Sequence, residues 1–318
     1  MNQIKVYNTY SKYLVDKFGE KVYKLPISLP LTCPNRDGTL GNGGCIFCGE
    51  EGGSFENLSS EMKIKEQLEK NKEYIGKRYN AKKFIAYFQN FTNTYLPFEN
   101  FKQCIEETLI DDIVGISIST RPDCLNDRYL EYLKKIKETY NIDITVELGL
   151  QTVNYHSLKK INRGHGLAEY IEASTKLKKY NLRNCTHLIL NLPWDDEIDT
   201  IENAKIVSAL GVEEIKLHAL YIVEGTNLGK AYKSGEISLI SKEEYMERVI
   251  TFLEYLDPNI VIQRIIGRAP EENALFVNWN ESWWKIRDEI ISLMESKSIA
   301  QGNRFNYLGG KGIKKFNE

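Results

Sequence analysis

Residues 142–152 read IDITVELGLQT, and the alternation in this stretch decides the architecture. Val146, Leu148 and Leu150 fall on one face of an extended strand, and Thr145, Glu147, Gly149 and Gln151 on the other, because strand side chains alternate with a period of two. A strand covered by helices on both sides is normally apolar throughout. Here one face is polar, so it looks onto something other than packed helix.

The pattern recurs outward in both directions. In DIVGISIST, Val114, Ile116 and Ile118 alternate with Gly115, Ser117, Ser119 and, just beyond, Arg121; in NCTHLILNLPW, Leu188, Leu190 and Leu192 alternate with His187, Ile189 and Asn191. In EEIKLHALYIV, Ile215, Leu217 and Ala219 alternate with Lys216, His218 and Leu220. KVYKLPISL and KKFIAYFQN are further strands, and helical stretches separate all six. Ser59 and Ser60 offer N-caps to the first of these helices, and Asp195, Asp196 and Glu197 form the acidic first turn of the last. The rhythm predicts α/β architecture: a partial (β/α)6 TIM-like barrel whose polar faces meet across a lumen. An open sheet with one bare face is the alternative.

Following the first strand, residues 33–48 read CPNRDGTLGNGGCIFC, a glycine-rich loop with Cys33, Cys45 and Cys48 spaced C-x11-C-x2-C. Three thiolates are one ligand short of a four-cysteine iron–sulfur or zinc site. A 4Fe–4S cluster held in this way keeps one iron open to chemistry. Zinc would need a fourth ligand, and no histidine precedes His156 and no further cysteine precedes Cys104. The loop sits where ligands bind in such folds, at the C-terminal end of a strand.

Composition narrows the class without naming a substrate. The 318 residues carry a formal net charge of −2, so no global basic field favours nucleic acid, although a local patch suffices. No signal-peptide core or membrane-length apolar run is present, which predicts a soluble, cytoplasmic protein without membrane contact.

Taken together, the three-cysteine loop, the β–α units and the polar lumen resemble the radical S-adenosylmethionine (SAM) enzymes over most of residues 22–268. STRPD (residues 119–123) is similar to the RPD motif of the Elongator catalytic subunit. ELGLQT with LKKINRGH resembles a stretch shared by that subunit, the methylthiotransferases and oxygen-independent coproporphyrinogen oxidases, and HLILNLPWD and KLHALYIVEGTNL resemble their fifth- and sixth-strand segments. The x11 spacing departs from the shorter C-x3-C-x2-C of many members and is similar to the bacterial YhcC/YtqA branch.

The resemblance implies two cofactors, a 4Fe–4S cluster on Cys33, Cys45 and Cys48 and S-adenosyl-L-methionine, with catalysis through a 5′-deoxyadenosyl radical. It implies that Phe47, Glu147, Gln151 and Arg163 contact the nucleoside cofactor. It also implies a tRNA partner, a reductant such as flavodoxin or ferredoxin, and a reaction at the wobble uridine. There 5-carboxymethylaminomethyl(-2-thio)uridine becomes 5-aminomethyl(-2-thio)uridine, which a tRNA methyltransferase then takes up. A radical SAM enzyme acting on a small molecule is the runner-up; a zinc- or cluster-stabilised binding module is the non-enzymatic alternative.

Lumen parity adds candidate substrate contacts: Tyr87, Gln89, Arg121, Asn191, Lys216 and His218. Arg121 or Lys216 is suited to a substrate carboxylate, with a buried ion pair as the competing role. Cys104 and Cys185 read as core residues, and Cys124 as core or site lining. His156 and His165 read as exposed or capping groups. The sequence divides into residues 1–235, barrel with lead-in, and 236–318, an α/β extension capping the open side. That extension contains a helix around 243–255, the strand VIQRII, a helix around 283–295 and core tryptophans 279, 283 and 284. A basic closing segment and Lys82, Lys83, Lys159 and Lys160 are candidates for a phosphate-contacting rim.

Overall fold

The computed structural model describes residues 6–49, 57–270 and 273–316; the first residues of the lead-in and the last two of the tail lie outside these. Helix α1 (Tyr10–Phe18) precedes β1 (Val22–Ile27), α2 (Ile64–Tyr79), β2 (Lys83–Phe88), α3 (Phe98–Glu106), β3 (Ile113–Thr120) and α4 (Asp127–Tyr140). Then come β4 (Asp143–Gln151), α5 (Tyr155–Lys160), α6 (Leu167–Lys179), β5 (Arg183–Ile189), α7 (Glu197–Leu210) and β6 (Glu214–His218). The chain ends with β7 (Ile222–Val223), α8 (Asn227–Lys233), α9 (Lys242–Tyr255), β8 (Val261–Arg264), β9 (Ala274–Phe276) and α10 (Trp283–Ser296).

The six expected β–α units are present, and VIQRII extends the same sheet. Its order is β1-β2-β3-β4-β5-β6-β8, and every pairing in it is parallel. This is a seven-stranded half-barrel. The apolar strand faces meet the helices: Ile116, Ile118, Val146, Leu148, Leu188 and Leu217 share one buried core with Leu130, Leu133, Leu177 and Val207. Burying such side chains contributes about 2 kcal/mol each.

Local chemistry moved some boundaries. Helix α2 begins at Ile64 without a side-chain cap, later than Ser59 and Ser60 suggested. Its first turn is set by docking: Gln67 accepts from the Ser28 amide at 2.9 Å and donates to the Ser28 carbonyl at 2.9 Å. Helix α7 begins at Glu197 with Asp196 as its N-cap, so Asp195 lies before the acidic first turn, which Glu197 and Asp199 supply. In β3, Val114 leaves the main core for a small cluster with Leu14, Val22 and Ile85, because the β2–β3 register shifts at Phe84/Ile85.

That cluster marks the floor of the lumen. Helix α1 packs on both edge strands, β1 and β8, and Thr9 bridges Ile262. Lys24 of β1 donates to Gln263 of β8 at 2.8 Å, a rung across the open seam. The half-barrel is thereby closed at the N-terminal ends of its strands. Helices α9 and α10 extend the outer layer beside α7. Trp279 and Trp283 pack on the core, whereas Trp284 is exposed.

Candidate active site

The cysteine loop is pinned to residues 161–164, the INRG that follows α5. Ile46 donates its amide to the Ile161 carbonyl at 3.1 Å. Asn35 donates to the Asn162 carbonyl at 2.6 Å, and Asn162 returns a bond to the Gly44 carbonyl at 2.8 Å. Asn35 is wedged between two glycines. A Cβ on Gly41 would lie 2.5 Å from its Oδ1, and one on Gly164 would lie 2.6 Å away. Gly164 also has φ +77°, which disfavours any side chain.

Each sulfur meets a guanidinium. Arg163 donates to Cys45 Sγ at 3.5 Å, Arg36 to Cys48 Sγ at 3.7 Å, and Arg121 approaches Cys33 Sγ at 4.0 Å. Burial, with Cys45 alongside, pushes the Cys48 thiol up to about 11, so a metal must displace its proton. Among the described residues, the ligand group gathered within 4.8 Å is Glu147, Cys185 and His187; the loop sulfurs are spread wider. A single tetrahedral zinc would draw its sulfurs to about 3.8 Å of one another. Wide spacing and three cationic donors fit an anionic cluster better than one ion.

One cavity of about 230 Å³ joins this loop to the lumen, lined by the three cysteines together with Phe47, Gln151 and Arg163. Tyr87, Gln89, Arg121, Glu147, Lys216 and His218 line it too. Asn191 does not line it. Strand β5 ends at Ile189, and Asn191, beyond it, accepts from the Leu220 amide at 2.6 Å and holds the β6–β7 connection.

Glu147 is fully buried with partners from four strands. Ser117 donates to Oε1 at 2.6 Å, and Lys24 also pairs with that oxygen. Lys216 pairs with Oε2 at 3.0 Å, and His187 Nε2 lies 2.7 Å from it. Burial alone would raise its pKa, but Lys216, Lys24 and His187 overcome that and hold it well below the ordinary range. Burial pulls Lys216 down, and its ammonium also donates to Tyr87 Oη at 2.7 Å. Burial and Lys216 press His187 down to about 4, so the ring is neutral near pH 7. Glu147 therefore organises the lumen floor.

Arg121 is 2% exposed and clamped by Asp123, with Nε–Oδ1 at 2.8 Å and Nη2–Oδ2 at 2.7 Å. Its remaining nitrogen donates to the Arg163 carbonyl at 2.8 Å, so the RPD turn braces the cysteine loop's neighbour. Arg163 also donates to the Gly149 carbonyl at 2.6 Å. His165 is buried, not exposed as expected; Nε2 lies 3.2 Å from the same carbonyl, and burial with Arg163 lowers it to about 3. Lys83 lies at the start of β2 and pairs with Glu20 at 3.1 Å. It and Lys82 therefore sit at the floor end and cannot rim the mouth.

Arg36, Asn35, His187 and Arg264 were missed. His187 shares the polar parity already read in β5. Arg264 was hidden by a register shift: Ile215 pairs with Ile262 but Lys216 with Arg264, so the bulge, not alternation, sets where Arg264 lies.

Comparison with known proteins places this geometry. The radical SAM superfamily matches residues 38–207 and the Radical_SAM C-terminal domain residues 212–296. YtqA of Bacillus subtilis is 38% identical over 310 residues, 96% of this chain and 95% of its own length. A tRNA uridine(34) acetyltransferase of Methanocaldococcus infernus is 30% identical over 200 residues, 62% of this chain but 36% of that protein. The solved structure of Elp3 from the same archaeon superposes with TM-score 0.65 at 18% identity, covering 88% of this chain and 64% of that one; at this identity the likeness is one of fold. The chain belongs to the radical SAM superfamily, whose cofactors are a 4Fe–4S cluster and S-adenosylmethionine.

Proposed function

We propose that this protein is a tRNA-modifying radical SAM enzyme that converts 5-carboxymethylaminomethyluridine at the wobble position, with or without 2-thiolation, to 5-aminomethyluridine. The carboxymethyl carbons leave as glyoxylate with an oxygen from water, while S-adenosylmethionine, cleaved to methionine and 5′-deoxyadenosine, takes up the two electrons. The observation that carries the reading is a continuous cavity joining the cysteine loop to a polar lumen. The name of the archaeal acetyltransferase relative, which specifies uridine 34 of tRNA, supports the substrate class. Exposed Lys159 and Lys160 beside the loop's anchor, and exposed Lys311, Lys314 and Lys315 in the tail, are suited to phosphates.

Cys33, Cys45 and Cys48 hold the cluster, and Arg36, Arg121 and Arg163 offset its negative charge. When bound, cluster and S-adenosylmethionine together supply a 5′-deoxyadenosyl radical. Phe47 offers a face for the adenine, and Gln151 and Arg163 offer donors to the polar groups of the cofactor. Glu147 acts beneath this layer, fixing Lys24, Lys216 and His187 so that the lumen wall does not reorganise during reaction. Tyr87, Gln89 and His218 face the substrate.

The test uses anaerobically reconstituted enzyme with flavodoxin, S-adenosylmethionine and tRNA bearing the carboxymethylaminomethyl group. 5′-Deoxyadenosine should rise with tRNA, and nucleoside digestion should show 5-aminomethyluridine. Equal 5′-deoxyadenosine with and without tRNA overturns the reading.

A further inference from the structure

Among the described residues, Glu147 is the carboxylate that lines the lumen, and Lys24 and Lys216 both draw on it. Of the cations that the alternation offered to a substrate, Arg121 is neutralised by Asp123 and Lys216 by Glu147. Arg264 is different. Its Nη2 donates to His218 Nδ1 at 2.7 Å, and its Nε is buried without a partner. Among the described residues, no carboxylate lies within the 4.0 Å of an ion pair with it.

His218 cannot supply the missing charge. Burial, then Arg264 itself, keeps its pKa well below the ordinary value, so it accepts as a neutral ring. His187 packs against it with ring centroids 5.1 Å apart and planes tilted by 38°, and these rings form a neutral backing. The guanidinium is seated on Gly267, where a Cβ would lie 2.9 Å from its Cζ. It is half-buried and lines the cavity. Its Nε is shut away from water and unpartnered, so an anion arriving from the cavity side would meet an unsatisfied donor set.

We propose that Arg264, backed by His218, receives a carboxylate of the substrate. This rests on the lumen being the substrate site, and it names the substrate class as a carboxylate-bearing amine. The planar fork suits a carboxylate in bidentate fashion. Arg264 is in register with Lys216 on the lumen wall, a depth that suits a terminal carboxylate on a short arm and not a phosphodiester carrying its two riboses.

The experiment compares wild type, Arg264→Gln and Arg264→Lys as cluster-loaded full-length enzymes. One arm uses tRNA bearing carboxymethylaminomethyluridine; the other uses N-methylglycine without RNA, each read as 5′-deoxyadenosine. Arg264→Gln should lower kcat/KM for the carboxylate substrate about 100-fold, and Arg264→Lys about tenfold. Cluster absorbance and S-adenosylmethionine binding should not change in either variant. Activity of Arg264→Gln within threefold of wild type, or parallel loss of cluster and cofactor binding, overturns the assignment. If only N-methylglycine stimulates wild type, in an Arg264-dependent way, the carboxylate receptor stands and the tRNA reading falls. If tRNA is processed equally by wild type and Arg264→Gln, the reverse holds. If neither stimulates wild type, both fall.

Discussion

Lys216 reaches Glu147 across the lumen in a setting where neither has water to fall back on: their side chains are 9% and 0% exposed. Breaking a buried pair by removing one partner costs far more than the pair contributes while intact, because the other charge is stranded. Lys216→Met should therefore destabilise the protein by about 3 kcal/mol, read as a lowered urea midpoint. Glu147→Gln should do the same by stranding Lys24 and Lys216, and the double variant should cost less than the sum. Strict additivity would show the two are not coupled. The period of two in residues 142–152 made Glu147 legible as a lumen residue. Its partners were not legible, because Lys24 lies 123 positions away and only the sheet order brings β1, β3, β5 and β6 around β4.

At the level of elements, the anchor between the cysteine loop and residues 161–164 relies on close backbone approach. Gly164→Ala forces a left-handed φ and drives a Cβ to 2.6 Å from Asn35 Oδ1, with loss of about 2 kcal/mol. Cluster occupancy after reconstitution should fall in that variant, since Asn35 and Ile46 position the loop, while Gly225→Ala, with the same sign of φ and nothing near its Cβ, should keep full occupancy. Equal occupancy in both would separate the anchor from cluster binding. Elements themselves were readable where apolar periodicity was strong. The places that escaped were ends and bulges: Asn191 lies past the last residue of β5, and Arg264 follows a register shift. Both depend on hydrogen bonding between neighbouring strands, which a one-dimensional pattern does not carry.

For the whole molecule, three histidines, one buried and two half-buried, predict acid sensitivity. His165 is held at about 3 and His187 at about 4, with His218 well below the usual value, burial leading in each case. Unfolded histidines take up protons near pH 6.5. The folded pKa values are depressed, so this stability is fully present above about pH 6.5 and lost as pH falls toward 4. Asp195 has the opposite sign: burial raises it to about 6, so its contribution is lost as pH rises through that value. Offsetting one histidine leaves a slope of up to about 3 kcal/mol per pH unit. The urea midpoint should fall clearly between pH 7 and pH 5; an unchanged midpoint would contradict the neutral-histidine assignment.

Helix α1, laid across β1 and β8, also has a kinetic meaning. With α1 covering the floor, the lumen opens toward the end that carries the cysteine loop. On the proposed function, a tRNA over that mouth would stopper whatever lies inside. Cofactor would then have to load before the tRNA docks, and its spent nucleoside would leave only after the tRNA lifts away. That proposal therefore predicts an ordered turnover gated by release of the large product.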